Sequence, residues 1–256
     1  MTPPPSTIDP AAIAGPDRPP HPQGVPLKFS ADGVVQRYRG NTTLCHIPAD
    51  APILAGLRAT YDAFAAHPTL ARKICLLPPS SWHMTVLDGV REAECEPGMW
   101  PEGREKEPLD ACTQAFAASL QQQLTAAALA AEGLQPPYRM RVCGFHSNGT
   151  GFGLRLEGAT AAEEARMRRL RDRIADAFGF RAPNHTTYRF HATIAYLRQF
   201  LDPGEGGDVA EWNKLFAELE PKIQMEVELG PVEFCTFEDM YAFSRLFYLG
   251  EEGSQP

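Results

Sequence analysis

One pattern occurs twice in this chain and constrains it more than any other: a histidine and a threonine two residues apart, in a run whose alternate positions are apolar. The first copy is Ser81-Trp82-His83-Met84-Thr85-Val86-Leu87, the second Phe190-His191-Ala192-Thr193-Ile194-Ala195-Tyr196. Successive side chains of a β-strand point to opposite faces. His83 and Thr85 therefore share a face, with Trp82, Met84 and Val86 behind them, and His191 and Thr193 share another, with Phe190, Ala192 and Ile194 behind. Each strand offers an imidazole and a hydroxyl on one side and a core-forming surface on the other.

The tripeptide alone does not select these two, because His67-Pro68-Thr69 and His185-Thr186-Thr187 match it as well. Strand context separates them. Pro68 lacks the amide hydrogen that a sheet ladder needs and follows a helical pattern, so His67 falls in a turn. His185 follows Ala182-Pro183-Asn184 and has no apolar alternation, which makes it loop.

The rest of the chain reads as scaffold. Residues 1–26 hold nine prolines and few large apolar groups, the composition of a disordered leader. Val34 to Ile47 is extended, Asp50 and Pro52 open a helix carrying Ile53, Leu57, Tyr61 and Phe64, and Lys73 to Leu77 is a short strand. Residues 91–108, rich in Glu, Gly and Pro around Trp100, read as a long surface loop of the kind that often serves function. An amphipathic helix follows from Leu109 to about Gly133. Tyr138 to Phe145 and Gly151 to Leu156 form a hairpin across Ser147-Asn148-Gly149. Thr160 with Glu163 caps a helix whose arginines, Arg166, Arg168, Arg169, Arg171 and Arg173, read as a solvated face interleaved with acids. A short helix from Asp208 and strands over 222–229, 232–237 and 243–249 complete the pattern, with 251–256 a frayed tail. The expected architecture is α+β: one two-lobed domain over 27–250, with mainly antiparallel sheets around a central cleft, helices outside, and a rough twofold relating the two His-x-Thr strands.

Composition narrows the partners. A net charge of -8 works against binding long nucleic acid, which needs many phosphates neutralised. No apolar run approaches a membrane span and no signal peptide is visible, so no membrane partner is expected. The six cysteines show no C-x-x-C and no zinc spacing. Cys45, Cys75, Cys112 and Cys143 lie in apolar segments and read as buried free thiols, which points to a cytoplasmic protein. A monomer is expected.

His83-Met84-Thr85-Val86 and His191-Ala192-Thr193-Ile194 resemble the paired His-x-Thr/Ser-apolar motifs of the 2H phosphoesterase superfamily, whose members include RNA-ligase-like and cyclic-phosphodiesterase proteins. The strand at Gly40-Asn41-Thr42, the run from His83 to Val90, Trp100-Pro101 and the run from His191 to Tyr196 are similar to a bacterial and fungal branch of that superfamily described as a domain of unknown function. This resemblance covers about residues 28–250 and implies one motif per lobe and a metal-independent phosphodiesterase. No cofactor is expected.

Two histidines facing one phosphate suit hydrolysis of a phosphodiester, above all a 2′,3′-cyclic one. A neutral imidazole removes a proton from water, and a protonated one gives a proton to the departing ribose oxygen. Thr85 and Thr193 would hydrogen-bond the non-bridging oxygens as their charge grows. The substrate is then a small phosphorylated molecule or an RNA end. Candidate substrate contacts are Asn41 (otherwise a turn residue), Tyr196 (core-facing by strict alternation unless a bulge turns it), Trp100 (a stacking surface or a loop anchor) and Arg189 (on the face of His191). Two other functions fit less well: a binding module that holds a nucleotide without turning it over, and a metallohydrolase using His46, His83 or His191 with Asp88.

Overall fold

The computed structural model describes residues 19–95 and 98–251. Its frame is two antiparallel sheets. One has the order β3-β1-β8-β9, from Gly40–His46 (β1), His83–Arg91 (β3), Glu233–Phe237 (β8) and Ser244–Tyr248 (β9). The other has the order β2-β6-β5-β4-β7, from Ile74–Leu76 (β2), Tyr138–Asn148 (β4), Gly151–Gly158 (β5), His191–Leu197 (β6) and Glu226–Leu229 (β7). The lobes are not the two halves of the chain. The first sheet takes its last two strands from the C-terminal end, and the second takes β2 from the N-terminal half.

Helices cover the outer faces. The helices Ile53–Ala66 (α1) and Asp208–Ile223 (α5) pack on each other over the second sheet, where Phe64, Phe145, Phe152, Trp212 and Phe216 form an aromatic cluster with ring centroids as close as 4.2 Å. Leu109–Gln123 (α2) lies against the first, and Ala161–Phe178 (α4) packs on α2 and on strands of both sheets, with Phe116 stacked on Phe178 and Phe178 reaching Phe234. These apolar stripes recur at helical spacing, so each helix buries one face. No helix among the described residues is long and apolar enough to cross a membrane.

Several local expectations are corrected. The helix expected from 109 to 133 breaks at Leu124, and Thr125 caps a separate turn of helix, Ala126–Ala131 (α3), by accepting from the Ala128 amide. Pro52, not Asp50, caps α1, and α5 runs to Ile223, inside the segment expected to be strand. Arg171 is not on a solvated face. It is buried, stacks at 3.9 Å over the Tyr188 ring and donates to the Val86 carbonyl. Of the expected leader, residues 1–18 lie outside the described residues, as do 252–256 of the tail. From Pro22 the chain is seated: Pro22, Gly24 and Val25 are buried in a turn, with the Val25 amide donating to Pro22 O at 2.9 Å. All six cysteines are free, and only Cys95 is exposed.

Candidate active site

The His-x-Thr strands β3 and β6 pack against each other across the cleft between the sheets. Each carries a bulge, and the bulges decide what the cleft contains. In β3 the pairing with β1 slips between Leu44↔Thr85 and Thr43↔Leu87, leaving Val86 as the extra residue. In β6 the pairing with β5 slips between Gly153↔Thr193 and Phe152↔Ala195, leaving Ile194 extra. An extra residue reverses the alternation beyond it. Val86 and Leu87 are therefore both buried, and so are Ile194 and Ala195, while Asp88 and Tyr196 turn back to the histidine face. Both lie five residues after their histidine.

The surroundings are built for these bulges. Thr43 Oγ1 lies 2.9 Å from Leu87 O, and Arg171 reaches Val86 O, which satisfies carbonyls that the ladder leaves unpaired. Glycines stand where the strands approach too closely for a side chain. A Cβ at Gly153 would lie 2.0 Å from Ala192 O, and one at Gly89 would lie 1.9 Å from Asn41 Oδ1. A second slip near Gly89 brings Arg91 onto the same face as Asp88.

The result is a cavity of about 130 Å³ lined by His83, Thr85, His191 and Thr193 together with Lys28, Asp88, Arg91 and Tyr196. Each histidine is oriented the same way: His83 Nδ1 donates to Ser81 O at 2.7 Å and His191 Nδ1 to Arg189 O at 2.9 Å. With Nδ1–H engaged, Nε2 is the nitrogen left for chemistry in both rings.

The two rings have different surroundings. Phe243 meets His83 edge-on at 4.2 Å and His46 stands 6.0 Å away. Burial pushes the pKa of His83 down to about 4; the Ser81 carbonyl opposes this, while His46 and His191 add to it. His191 keeps its Nδ1 bond in an exposed setting, 5.8 Å from the ring of His146. Burial, with the fields of His191, Arg189 and Arg155, pushes His146 down to about 4.

Positive charge in the cavity comes from Lys28 and Arg91. Lys28 Nζ donates to Tyr196 Oη at 3.2 Å and sits 4.5 Å over the same ring. Arg91 pairs with Glu94 at 2.7 Å and faces Asp88 at 3.4 Å. Burial opposes ionisation of Asp88, but Arg91, with His191, Lys28 and Arg171, holds its carboxyl below the usual range. A larger, open cavity of about 800 Å³ lies beyond Phe243, lined by His46, Arg58 and Arg245 among others, but it holds neither His-x-Thr pair.

The structure brings together His83, Thr85, His191, Thr193 and Tyr196, the last on the cavity side and not in the core. It places three other candidates outside this cavity. Asn41 is buried, donates to Thr113 Oγ1 and accepts from the Val90 amide, so it fastens the strand and does not reach the cavity. Trp100 is buried in its loop, with Nε1 bonded to Glu105 O, and anchors that loop away from the histidines. The side chain of Arg189 lines a neighbouring pocket and not the central one. His67 and His185 stand elsewhere, the first accepting from its own turn and the second bonded to Asp172. Among the described residues no group of three or more His, Cys, Asp or Glu is placed to hold a metal ion. Lys28 and Arg91 were missed as cavity residues, and Asp88 was considered only as a metal ligand; the signal that turns it to the histidine face was the apolar doublet Val86-Leu87, which breaks strict alternation.

Residues 28–151 match the family model described as "2H-phosphodiest: Domain of unknown function (DUF1868)". Among solved structures, the chain is similar to the conserved protein of unknown function ATU0111 from Agrobacterium tumefaciens: 29% identical, with 93% of this chain and 97% of that one covered and a TM-score of 0.79. Fainter likenesses are TT0787 of Thermus thermophilus (14% identical, 85% and 100% covered, TM-score 0.41) and E. coli LigT complexed with NADP+ (10% identical, 84% and 99% covered, TM-score 0.42). No curated protein matches this sequence. By this match and by its fold, the chain is similar to the branch of the 2H phosphoesterase superfamily described as a domain of unknown function.

Proposed function

We propose that this chain is a metal-independent phosphodiesterase that hydrolyses a cyclic phosphate on a small nucleotide or an RNA end. The observation that carries the reading is the single cavity shared by His83, Thr85, His191 and Thr193, with both imidazoles presenting Nε2. His83, enclosed by Phe243 and depressed by burial, is neutral at neutral pH and acts as the base. It takes a proton from water as the water oxygen bonds to phosphorus. His191, in the more exposed setting, carries the proton and delivers it to the ribose oxygen as that P–O bond breaks. The product is a phosphomonoester, and solvent returns the two histidines to their starting states.

Thr85 and Thr193 donate to the non-bridging oxygens, and Lys28 and Arg91 offset the charge gathering on them. Asp88 keeps Arg91 on the cavity wall. The test is turnover of nucleoside 2′,3′-cyclic phosphates followed by phosphorus NMR in the presence of a chelator. His83→Ala and His191→Ala should each lose about 10²- to 10⁴-fold in kcat with circular dichroism unchanged. Full activity in both variants, or activity abolished by the chelator, overturns the reading.

A further inference from the structure

A second concave surface adjoins the cavity on the side of His191. It is lined by Arg141, Arg155, Arg168 and Arg189, with Glu157 and Glu164 as the acids. Four guanidinium groups against two carboxylates stand out in a chain whose net charge is -8. Arg189 precedes His191 by two residues on the same strand face, roughly 7 Å along the chain. Arg155 is the cross-strand partner of His191 in the register of β5 with β6, about 5 Å away. The pocket therefore begins where His191 ends.

Its arginines are unequally committed. Arg168 is tied to Glu164 at 2.7 Å and to Tyr188 O, and Arg141 to Ala159 O. The Arg189 side chain makes no hydrogen bond or ion pair among the described residues. Arg155 bonds only weakly, to Cys143 O at 3.5 Å, and its Nε is buried with no acceptor. A phosphate offers the acceptors these forks lack, in the bidentate geometry guanidinium favours.

The direction of the chemistry says which phosphate. In a strand ending in a 2′,3′-cyclic phosphate, the oxygen that departs becomes a hydroxyl of the terminal ribose, which keeps the phosphate through its other ester oxygen, and everything upstream hangs on that ribose. The departing oxygen is protonated by His191, so the strand must leave the cavity on the His191 side. We propose that the basic pocket beside His191 binds the phosphate preceding the reacting one in a short RNA strand, making oligonucleotide ends better substrates than single nucleotides. The proposal rests on the phosphodiesterase reading above and on its assignment of His191 as the acid.

The test compares a nucleoside 2′,3′-cyclic phosphate with a tetranucleotide ending in the same group. The wild-type chain should favour the tetranucleotide at least about 10-fold in kcat/KM, through KM, and the preference should shrink with added salt as phosphate contacts are screened. Arg189→Glu and Arg155→Met should bring the ratio close to unity. Arg173→Glu, on the outer face of α4 beside Glu132, changes charge equally far from the pocket and should leave the ratio as it was. Equal treatment of both substrates by the wild type, or a preference that survives both pocket variants, overturns the proposal. If neither substrate is turned over, the phosphodiesterase reading fails. Calorimetry with the linear 3′-phosphorylated tetranucleotide and mononucleotide then decides the pocket, and equal affinity for the two overturns it.

Discussion

Lowering the pH from about 7 towards about 4.5 protonates the ordinary histidines of the unfolded chain but leaves His83 neutral in the folded one. Burial is the first cause of its depressed pKa of about 4, and it is also the first cause at His146, again about 4. Both folded values lie below the unfolded value near 6.5. The stability they contribute is therefore fully present above about pH 6.5 and is lost as the pH falls towards 4. Across that window the unfolded chain binds up to two more protons than the folded one. Stability should then fall by up to about 2.7 kcal/mol per pH unit, about 1.4 from each histidine. The depressed carboxyls Asp88, Glu94 and Glu233 act lower, below the usual carboxylate range near 4. Urea unfolding at half-unit pH steps measures the slope, and His83→Gln and His146→Gln should each remove about half of it. The same property should carry the acid limb of kcat/KM well below 6.5. A proton NMR titration that finds His83 protonating near 6.5, or a slope unchanged in both variants, would refute the reasoning.

Gly153→Ala drives a Cβ to 2.0 Å from Ala192 O at the β6 bulge, so it should cost about 1–3 kcal/mol and lower kcat in the folded fraction; unchanged stability counts against the bulge as the positioning device. Lys28→Met should raise KM about 10-fold or more, while Tyr196→Phe, which frees the ammonium and loses the hydroxyl's contact with the Met240 sulfur, should do less; the reverse order would deny Lys28 its place as the cavity's cation. Trp100→Phe removes the bond to Glu105 O and should cost about 1 kcal/mol of stability with KM unmoved, whereas a KM rise above about 5-fold would restore Trp100 as a stacking surface.

The two His-x-Thr strands were legible in the sequence because each alternates against a core, and Met84, Val86, Ala192 and Ile194 are indeed buried. Sheet order was not legible. It depends on which distant strands meet, and no local pattern says that β8 pairs with β1 or that β2 crosses to β6. The bulges were half-legible: an apolar residue inserted into an apolar face leaves alternation formally intact, and only the doublets Val86-Leu87 and Ile194-Ala195 mark the slip. Asn41 misled for a related reason. Its amide is needed by the Val90 N–H and by Thr113, whose positions become neighbours only in the folded molecule. Arg171 misled because charge is usually solvated, whereas here the bulge carbonyl of Val86 gives it a buried acceptor.

The crossing of strands between lobes bears on how the protein is made. As the chain emerges, β1 and β3 can pair early, but the other side of β1 lacks its partner until residues 233–237 have been synthesised. Until then an edge of that sheet is bare, with its amides and carbonyls open to strands of other molecules. A nascent chain stopped short of β8 would carry His83 and His191 but not the strand that closes the first lobe. Competence therefore arrives late and all at once, and a C-terminal truncation that removes no cavity histidine should still yield an aggregating, inactive product.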